Sequence, residues 1–535
     1  MPPASRKPAS KKPASKKPAG EKQESPPRPR RQTKTPQEPK TREGATSRQP
    51  VKTQPTERSG LTESQLKNAA NYFYAYHEWM IYLAQSTDHP SPLRQRFDEH
   101  LKTDASEVPV LSETFESYDH VNVQRAIDRF LSSRGRKHDL VGVAGSRTMS
   151  LSDLIATKAL SGLQTGPVDR VNVASGPETV EECVQVGLYF VVDRGNPSIL
   201  FVRGPDPTCG RQDCMLEVAS ADPESGRALL GEIRDAIGSD NVFRQKVISF
   251  ADANVGYASV GPMVFWQRPE IPSDHVVLPE GLLELIERQV FAIAEHRERL
   301  LRSGQHLKRG LLLHGPPGTG KTHSVRYLLG KATEHTVVIL TGGALRYVRQ
   351  ACALARLLQP AIVVLEDVDL VARHRNYEDD GNPILFDVLN QLDGIADDAD
   401  IVFVLTTNRA DLLEPALAAR PGRIDLAVEI PLPGDTERRR LFRLYGERMR
   451  VDESVEDEVV RRTAGVTASF IRELVRKSAL LAAMGRSSNG KIIVGDAHVT
   501  TALDELLAEK SALTRALLGQ QSRPDDGSFV ASGWL

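Results

Sequence analysis

Apolar residues are scattered without period through the first sixty positions, and from Leu61 onward they recur at helix and strand spacings. LTESQLKNAANYFYAYHEWMIYLAQ opens with a Thr-x-x-Gln capping pattern and carries aromatics at helical intervals, which predicts a helix. VNVQRAIDRFLSS predicts a second. GLYFVVD and SILFVRG are β-rich runs joined by Arg194-Gly195-Asn196-Pro197, the pattern of a hairpin. CMLEVAS then reads as a strand, SGRALLGEIRDAIG as a helix and KVISFAD as a strand. Together these predict an α+β domain over 61–270 in which Tyr72, Phe73, Tyr74, Tyr76 and Trp79 read as packing residues, with a binding face as the alternative. No catalytic constellation stands out in it. LPEGLLELIERQVFAIAEHRERLLRSG follows as an amphipathic helix, and RGLLLH as a short buried strand that runs into a glycine-rich loop. TVVILTG and AIVVLEDVDL hold the continuous apolar runs of strands covered on both faces.

Composition changes this picture mainly at the N-terminus. The net charge of −1 hides a tail of +11 at 1–60 and a remainder of −12. The tail repeats PASRK, PASKK, PASKK and is rich in Pro, Ser, Thr, Lys and Arg, so it cannot bury enough apolar surface to fold. Clustered Lys and Arg would neutralise nucleic-acid phosphates, but no aromatics interleave to stack on bases, which favours a solvated tail. Four cysteines, Cys183, Cys209, Cys214 and Cys352, are too few and too scattered for a disulfide framework. No run reaches the roughly 18 apolar residues of a membrane helix, and MPPASRKPAS has no apolar signal segment. A cytoplasmic location without membrane contact is the expectation.

The chemistry lies in Gly315-Pro316-Pro317-Gly318-Thr319-Gly320-Lys321-Thr322, which fits GxxxxGK[ST] between a strand and the helix HSVRYLLGKA that begins with His323. Glycines let backbone N–H groups wrap phosphate, and the following helix N-terminus adds to the anion site. Lys321 is placed to reach the β- and γ-phosphates, and the Thr322 hydroxyl to bind Mg²⁺. AIVVLEDVDL ends its strand in Glu366 and Asp367, at the edge where open parallel sheets bind ligands. One carboxylate can hold the metal and the other can polarise an attacking water. ATP and Mg²⁺ are the implied cofactors.

From about residue 307 to 505 the chain resembles the AAA clade of the AAA+ superfamily. That resemblance implies an α/β P-loop domain with a parallel sheet over 271–431 and a C-terminal helical lid over 432–515, with a flexible tail at 516–535. LFDVLNQLDGI (385–395) resembles the family's helix before the next strand, and IVFVLTTN (401–408) its sensor strand, with Asn408 orienting the water. RADLLEPALAARPGRID (409–425) resembles the second region of homology, which makes Arg420 and Arg423 arginine fingers acting on a neighbouring subunit's ATP. In the lid, GVTASFIRELVRK keeps Gly465 but places Ala468-Ser469 where Gly-Ala is usual. The metal strand ends in Glu-Asp where most relatives have Asp-Glu. Alignment by position gives Glu366 the metal and Asp367 the water, with the exchange of roles left open. No aromatic-hydrophobic-Gly pore element follows the second strand; Tyr347-Val348 stand nearest to it and suit a pore or the packing of their own helix equally.

The resemblance implies a ring of like subunits, hexameric in the usual case, that acts on a macromolecule, more often protein than nucleic acid. The alternatives are a nucleic-acid-associated ATPase tethered through residues 1–60, and a slow nucleotide-dependent scaffold. Gly533-Trp534-Leu535 loosely resembles the docking terminus of proteasomal ATPases, against the plainer reading of a frayed end.

Overall fold

The computed structural model describes residues 63–86, 91–144, 147–157, 163–250, 263–369, 398–411, 424–451, 455–484 and 492–508. The expected tails at 1–60 and 516–535 lie outside them. The chain divides into two units after Trp79. The boundary falls within helix α1 (Glu63–Ser86), which forms where the capping pattern and aromatic spacing predict it. Its aromatics do not pack as expected: Tyr72, Phe73, Tyr74, Tyr76 and Trp79 are 53–78% exposed. Helical spacing fixes the face on which a side chain stands but not whether anything covers that face.

The second unit continues with α2 (Pro92–Leu101), β1 (Val110–Phe115), α3 (His120–Leu131), β2 (Arg136–Ala144) and α4 (Leu151–Ala156). Strands β3 (Gln164–Gly166), β4 (Asp169–Ala174), β5 (Val180–Asp193), β6 (Asn196–Arg203) and β7 (Cys214–Ser220) follow, then α5 (Pro223–Ser239). The strands form one antiparallel sheet in the order β1-β7-β6-β5-β2-β3, with β4 also on β5. Alternation along β6 builds a core on each face. Ile199 and Phe201 meet α2 and α4 on one side, and Leu200 and Val202 meet α3 and α5 on the other. The hairpin falls where the sequence places it, in a two-residue turn with Arg194 at φ 51° and Gly195 at φ 95°. Two successive positive φ values are the type I′ geometry whose twist matches its strands.

A second sheet takes β8 (Val247–Phe250), β9 (Met263–Trp266), β10 (Arg309–His314), β11 (Thr336–Thr341), β12 (Ala361–Glu366), β13 (Ile401–Thr407) and β14 (Leu426–Glu429). Its order is β14-β10-β13-β12-β11-β8-β9, and every neighbouring pair is parallel except β8–β9. The strand from KVISFAD, expected in the N-terminal domain, therefore belongs to this sheet, where β8 pairs with β11. Four residues of local pattern do not say which sheet edge a strand will join.

The predicted linker helix is also interrupted. It runs as α6 (Leu282–Glu287), a π-helical turn (Arg288–Ala292) and, farther on, α7 (Arg297–Arg302). The π turn buries Val290 and presents its carbonyl to Arg309 Nη2 at 2.8 Å. Arg309 and Asp400 form a buried ion pair at 2.8 Å beneath the N-terminal ends of β10 and β13, and Arg309 Nη1 also donates to Leu307 O. Helices α8 (Lys321–Lys331) and α9 (Val348–Leu357) pack on the sheet, and α10 (Asp435–Gly446), α11 (Glu456–Arg462), α12 (Ala468–Met484) and α13 (Asp496–Ala508) enclose a separate lid core. Among the described residues no helix is long and apolar enough to cross a membrane.

The two sheets share a core. Tyr118, Val121, Val173, Cys183, Val242 and Phe243 from the N-terminal side cluster with Phe250, Leu345, Val348 and Cys352 on the other. Within it the ring of Tyr118 lies 6.1 Å from Phe243 and 5.8 Å from Phe250, and Phe250 stacks on Tyr347 at 5.0 Å. Asp119 sits at this seam, facing Arg349 and Leu354 across a small cleft. Burial pushes its carboxyl up to about 6, the neighbouring Glu116 adds to the rise, and a hydrogen bond from Asn122 opposes it.

Two expectations follow. Asp400→Ala, which strands the Arg309 guanidinium, should cost about 3–5 kcal/mol in urea unfolding. Because the folded Asp119 carboxyl titrates above its unfolded value, ionisation opposes folding; the penalty is absent below about pH 4 and complete above about pH 6. Asp119→Asn should therefore raise stability by about 1–3 kcal/mol at pH 8 and leave it unchanged near pH 4, as read by thermal unfolding across that range.

Candidate nucleotide site

The site forms where β10, β12 and β13 end side by side. After His314 the backbone turns through Gly315 at φ 139°, Gly318 at φ 78° and Gly320 at φ 115°, and α8 begins at Lys321. A side chain at Gly315 would place its Cβ 2.3 Å from the Ile430 carbonyl, and one at Gly318 would meet Ser469 Oγ at 2.8 Å. Glycine is required at both by φ and by space together. Thr319 Oγ1 donates to Pro316 O at 2.9 Å and pins the loop on itself.

Lys321 is 6% exposed, and its ammonium donates to Gly315 O at 2.8 Å and Pro316 O at 2.9 Å. Burial lowers its pKa, while the charges of Asp367 and Asp369 work to raise it. The Glu366 carboxyl lies beside the Thr322 hydroxyl; burial and then Asp367 raise its pKa, and the neighbouring hydroxyl works to lower it. A hydroxyl beside a carboxylate is the hard-oxygen donor set that Mg²⁺ takes along with phosphate oxygens, so the residues present fit this ion.

Asp367 points elsewhere. Its backbone is left-handed, φ 50°, held by its N–H donating to Thr406 Oγ1 at 3.0 Å. Its Oδ1 accepts from Asn408 Nδ2 at 3.2 Å. A non-glycine residue in this region costs on the order of 1–3 kcal/mol and persists where its surroundings over-determine it. The adjacent carboxylates are thus divided, with Glu366 turned to the loop threonine and Asp367 to the asparagine of the next strand. Asp369, which the sequence did not single out, is 1% exposed and accepts from Thr407 Oγ1 at 3.0 Å and Asn408 N at 3.1 Å. Its only local signal is its place as the third acid of Glu366-Asp367-Val368-Asp369.

The lid closes on the loop through backbone. Ser469 N donates to Gly318 O at 3.1 Å, and its hydroxyl to the same oxygen at 3.3 Å. This is the position where the chain departs from the usual Gly-Ala. Beside it, His323 Nε2 lies 3.1 Å from His275 O, and burial lowers the pKa of its ring. His323, His275, Arg326, Tyr445 and Arg472 line a cleft of about 760 Å³ between α8 and the lid. Of the remaining sequence candidates, Val348 is buried and Tyr347 is half-buried on Phe250, so both pack within the shared core. Arg420 and Arg423, and the helix expected over 385–395, lie outside the described residues.

Residues 311–432 match the family described as ATPase family associated with various cellular activities (AAA). The chain is 32% identical over 414 residues to the ATP-dependent zinc metalloprotease FtsH 2 of Sphaerobacter thermophilus, covering 72% of this chain and 61% of that protein. It is 32% identical over 273 residues to FtsH 3 of the same organism, covering 48% of this chain and 53% of the relative. It is also 34% identical over 192 residues to the 26S protease regulatory subunit 6A of Caenorhabditis elegans, covering 34% of this chain and 44% of that one. The chain thus spans 44–61% of the length of these relatives.

The close approach of loop and lid gives a direct expectation. Gly318→Ala should weaken Mg·ATP binding by roughly tenfold or more, since a left-handed alanine costs about 1–2 kcal/mol before the clash with Ser469 is added. Ser469→Gly in the same chain should recover only the steric part, as read by calorimetric titration.

Proposed function

We propose, from the premise that this chain carries an ATPase domain of the AAA family, that it hydrolyses ATP with Mg²⁺ in a ring of like subunits and uses the cycle to remodel a protein substrate. The observation that carries the reading is Asp367 Oδ1 accepting from Asn408 Nδ2 at 3.2 Å at the end of the next strand, while the adjacent Glu366 lies beside Thr322 of the glycine-rich loop. In it, loop N–H groups and Lys321 hold the β- and γ-phosphates, and Thr322 with Glu366 holds the metal. Asp367 and Asn408 set the water opposite the γ-phosphate, with Asp367 as general base. Bound Mg²⁺ supplies charge neutralisation on the phosphate oxygens.

The nucleotide's base would lie in the cleft between α8 and the lid that His323 lines. Arg420 and Arg423, by their place in the sequence, would reach a neighbouring subunit's ATP, which is the reason to expect a ring, in the usual form a hexamer. Protein as the substrate class is supported by the names of the relatives, a metalloprotease and a protease regulatory subunit.

Asp367→Asn tests the assignment. It should leave Mg·ATP affinity within about threefold and lower turnover by about 10²-fold or more, the range of a general base. Phosphate release at the parent rate would move the role to Glu366. The same variant, locked with ATP, should retain its protein substrate through gel filtration, whereas the parent chain releases it.

A further inference from the structure

An asparagine that meets Asp367 at 3.2 Å must itself be held in place. Asn408 follows the last residue of β13, and a side chain there is free to rotate unless its backbone is tied down. Two bonds tie it, and both end on one atom. Asp369 Oδ1 accepts the Asn408 N–H at 3.1 Å and the Thr407 hydroxyl at 3.0 Å. The Thr407 hydroxyl in turn accepts the Arg409 N–H at 2.9 Å, so three successive residues hang from one carboxylate. Asp369 is 1% exposed and Thr407 0%, and neither competes with water for these bonds.

We propose that Asp369 is a positioning residue for hydrolysis: it anchors the β13 end so that the Asn408 amide meets Asp367. The inference rests on the reading of Asn408 and Asp367 as the water-handling pair. Its chemical content is narrow. Thr406 Oγ1 accepts the Asp367 N–H, and Asn408 Nδ2 donates to Asp367 Oδ1 at 3.2 Å. The β13 end therefore holds Asp367 at two points, and Asp369 holds the β13 end. The donors that Asp369 Oδ1 accepts from are protein groups, the Thr407 hydroxyl and the Asn408 N–H. Its charge also acts on Lys321, but the role assigned to it is that of an oxygen acceptor at a fixed place, which the asparagine variant separates from that charge. An asparagine side chain can present the same oxygen to both donors, and an alanine cannot.

The test uses the full chain with steady-state ATP hydrolysis and Mg·ATP affinity as paired readouts. Asp369→Ala should lower kcat by about 10- to 100-fold, the scale of a small misplacement at a catalytic centre, with Kd changed by less than about twofold. Asp369→Asn should recover most of the lost rate. On an Asn408→Ala background, Asp369→Ala should cost less than a further factor of about two, because residues acting as one unit are not additive. The proposal is overturned by parent kcat in Asp369→Ala, by equal losses in the alanine and asparagine variants, by multiplicative losses with Asn408→Ala, or by a loss expressed in Kd. Should Asp369→Ala fail to fold, Thr407→Val removes one donor with every charge in place and should lower kcat by about tenfold at constant Kd; a parent rate there contradicts the proposal equally. Asn408→Ala at the parent rate would bring down the reading of the site as well, whereas a slow Asn408→Ala beside a fast Asp369→Ala would remove only this inference.

Discussion

Everything at the nucleotide site depends on three parallel strands, β10, β13 and β12, ending side by side at one edge of a buried sheet. Parallel pairing puts the carboxyl ends together, so the loop after β10, the acids after β12 and the threonine-asparagine end of β13 face one another without any long reach. Residues 38 to 41 apart in sequence then act within hydrogen-bond distance. The buried Arg309–Asp400 pair sits at the opposite ends of two of these strands, where it helps to set their register. A buried ion pair is weak evidence of net stability, but removing one partner is costly, and here that cost falls on the sheet that aligns the site.

The same sheet couples outward in two ways that differ physically. Toward the N-terminal domain the contact is a continuous apolar core of rings and aliphatic chains, with β8 and β9 added directly to the sheet edge. Close packing of this kind resists gradual displacement, so the N-terminal sheet is expected to follow the ATPase sheet as one body. Toward the lid the contact at the loop is polar, the Ser469 hydrogen bonds to the Gly318 carbonyl. Polar backbone contacts can break and re-form with modest net cost. Tyr347 belongs to the first kind of contact, stacked into the shared core through Phe250.

Much of the site was legible in the sequence because its demands are local. A loop that wraps phosphate needs glycine at particular positions, and Gly315, Gly318 and Gly320 all take positive φ. Glu366 and Asp367 were legible as acids closing a fully apolar strand. Asp369 was not, because its value lies in bonds to Thr407 and Asn408 on another strand, which spacing along the chain does not encode. The fold shows the same division. The β5–β6 hairpin is a local turn and was found, while β8 is four residues whose sheet is chosen by tertiary packing. The aromatics of α1 were expected inside and are exposed, since periodicity identifies a face without naming what covers it.

The central claim is that the loop and the divided carboxylates form one hydrolytic unit organised by Lys321. Its most direct measurement is phosphate release by the purified chain with Mg·ATP, set beside a Lys321→Ala variant of equal thermal stability. The account predicts steady turnover in the parent chain and its loss, together with the loss of ATP affinity, in the variant. Undiminished phosphate release by Lys321→Ala, or tight Mg·ATP binding by the parent chain with no phosphate released, would contradict it.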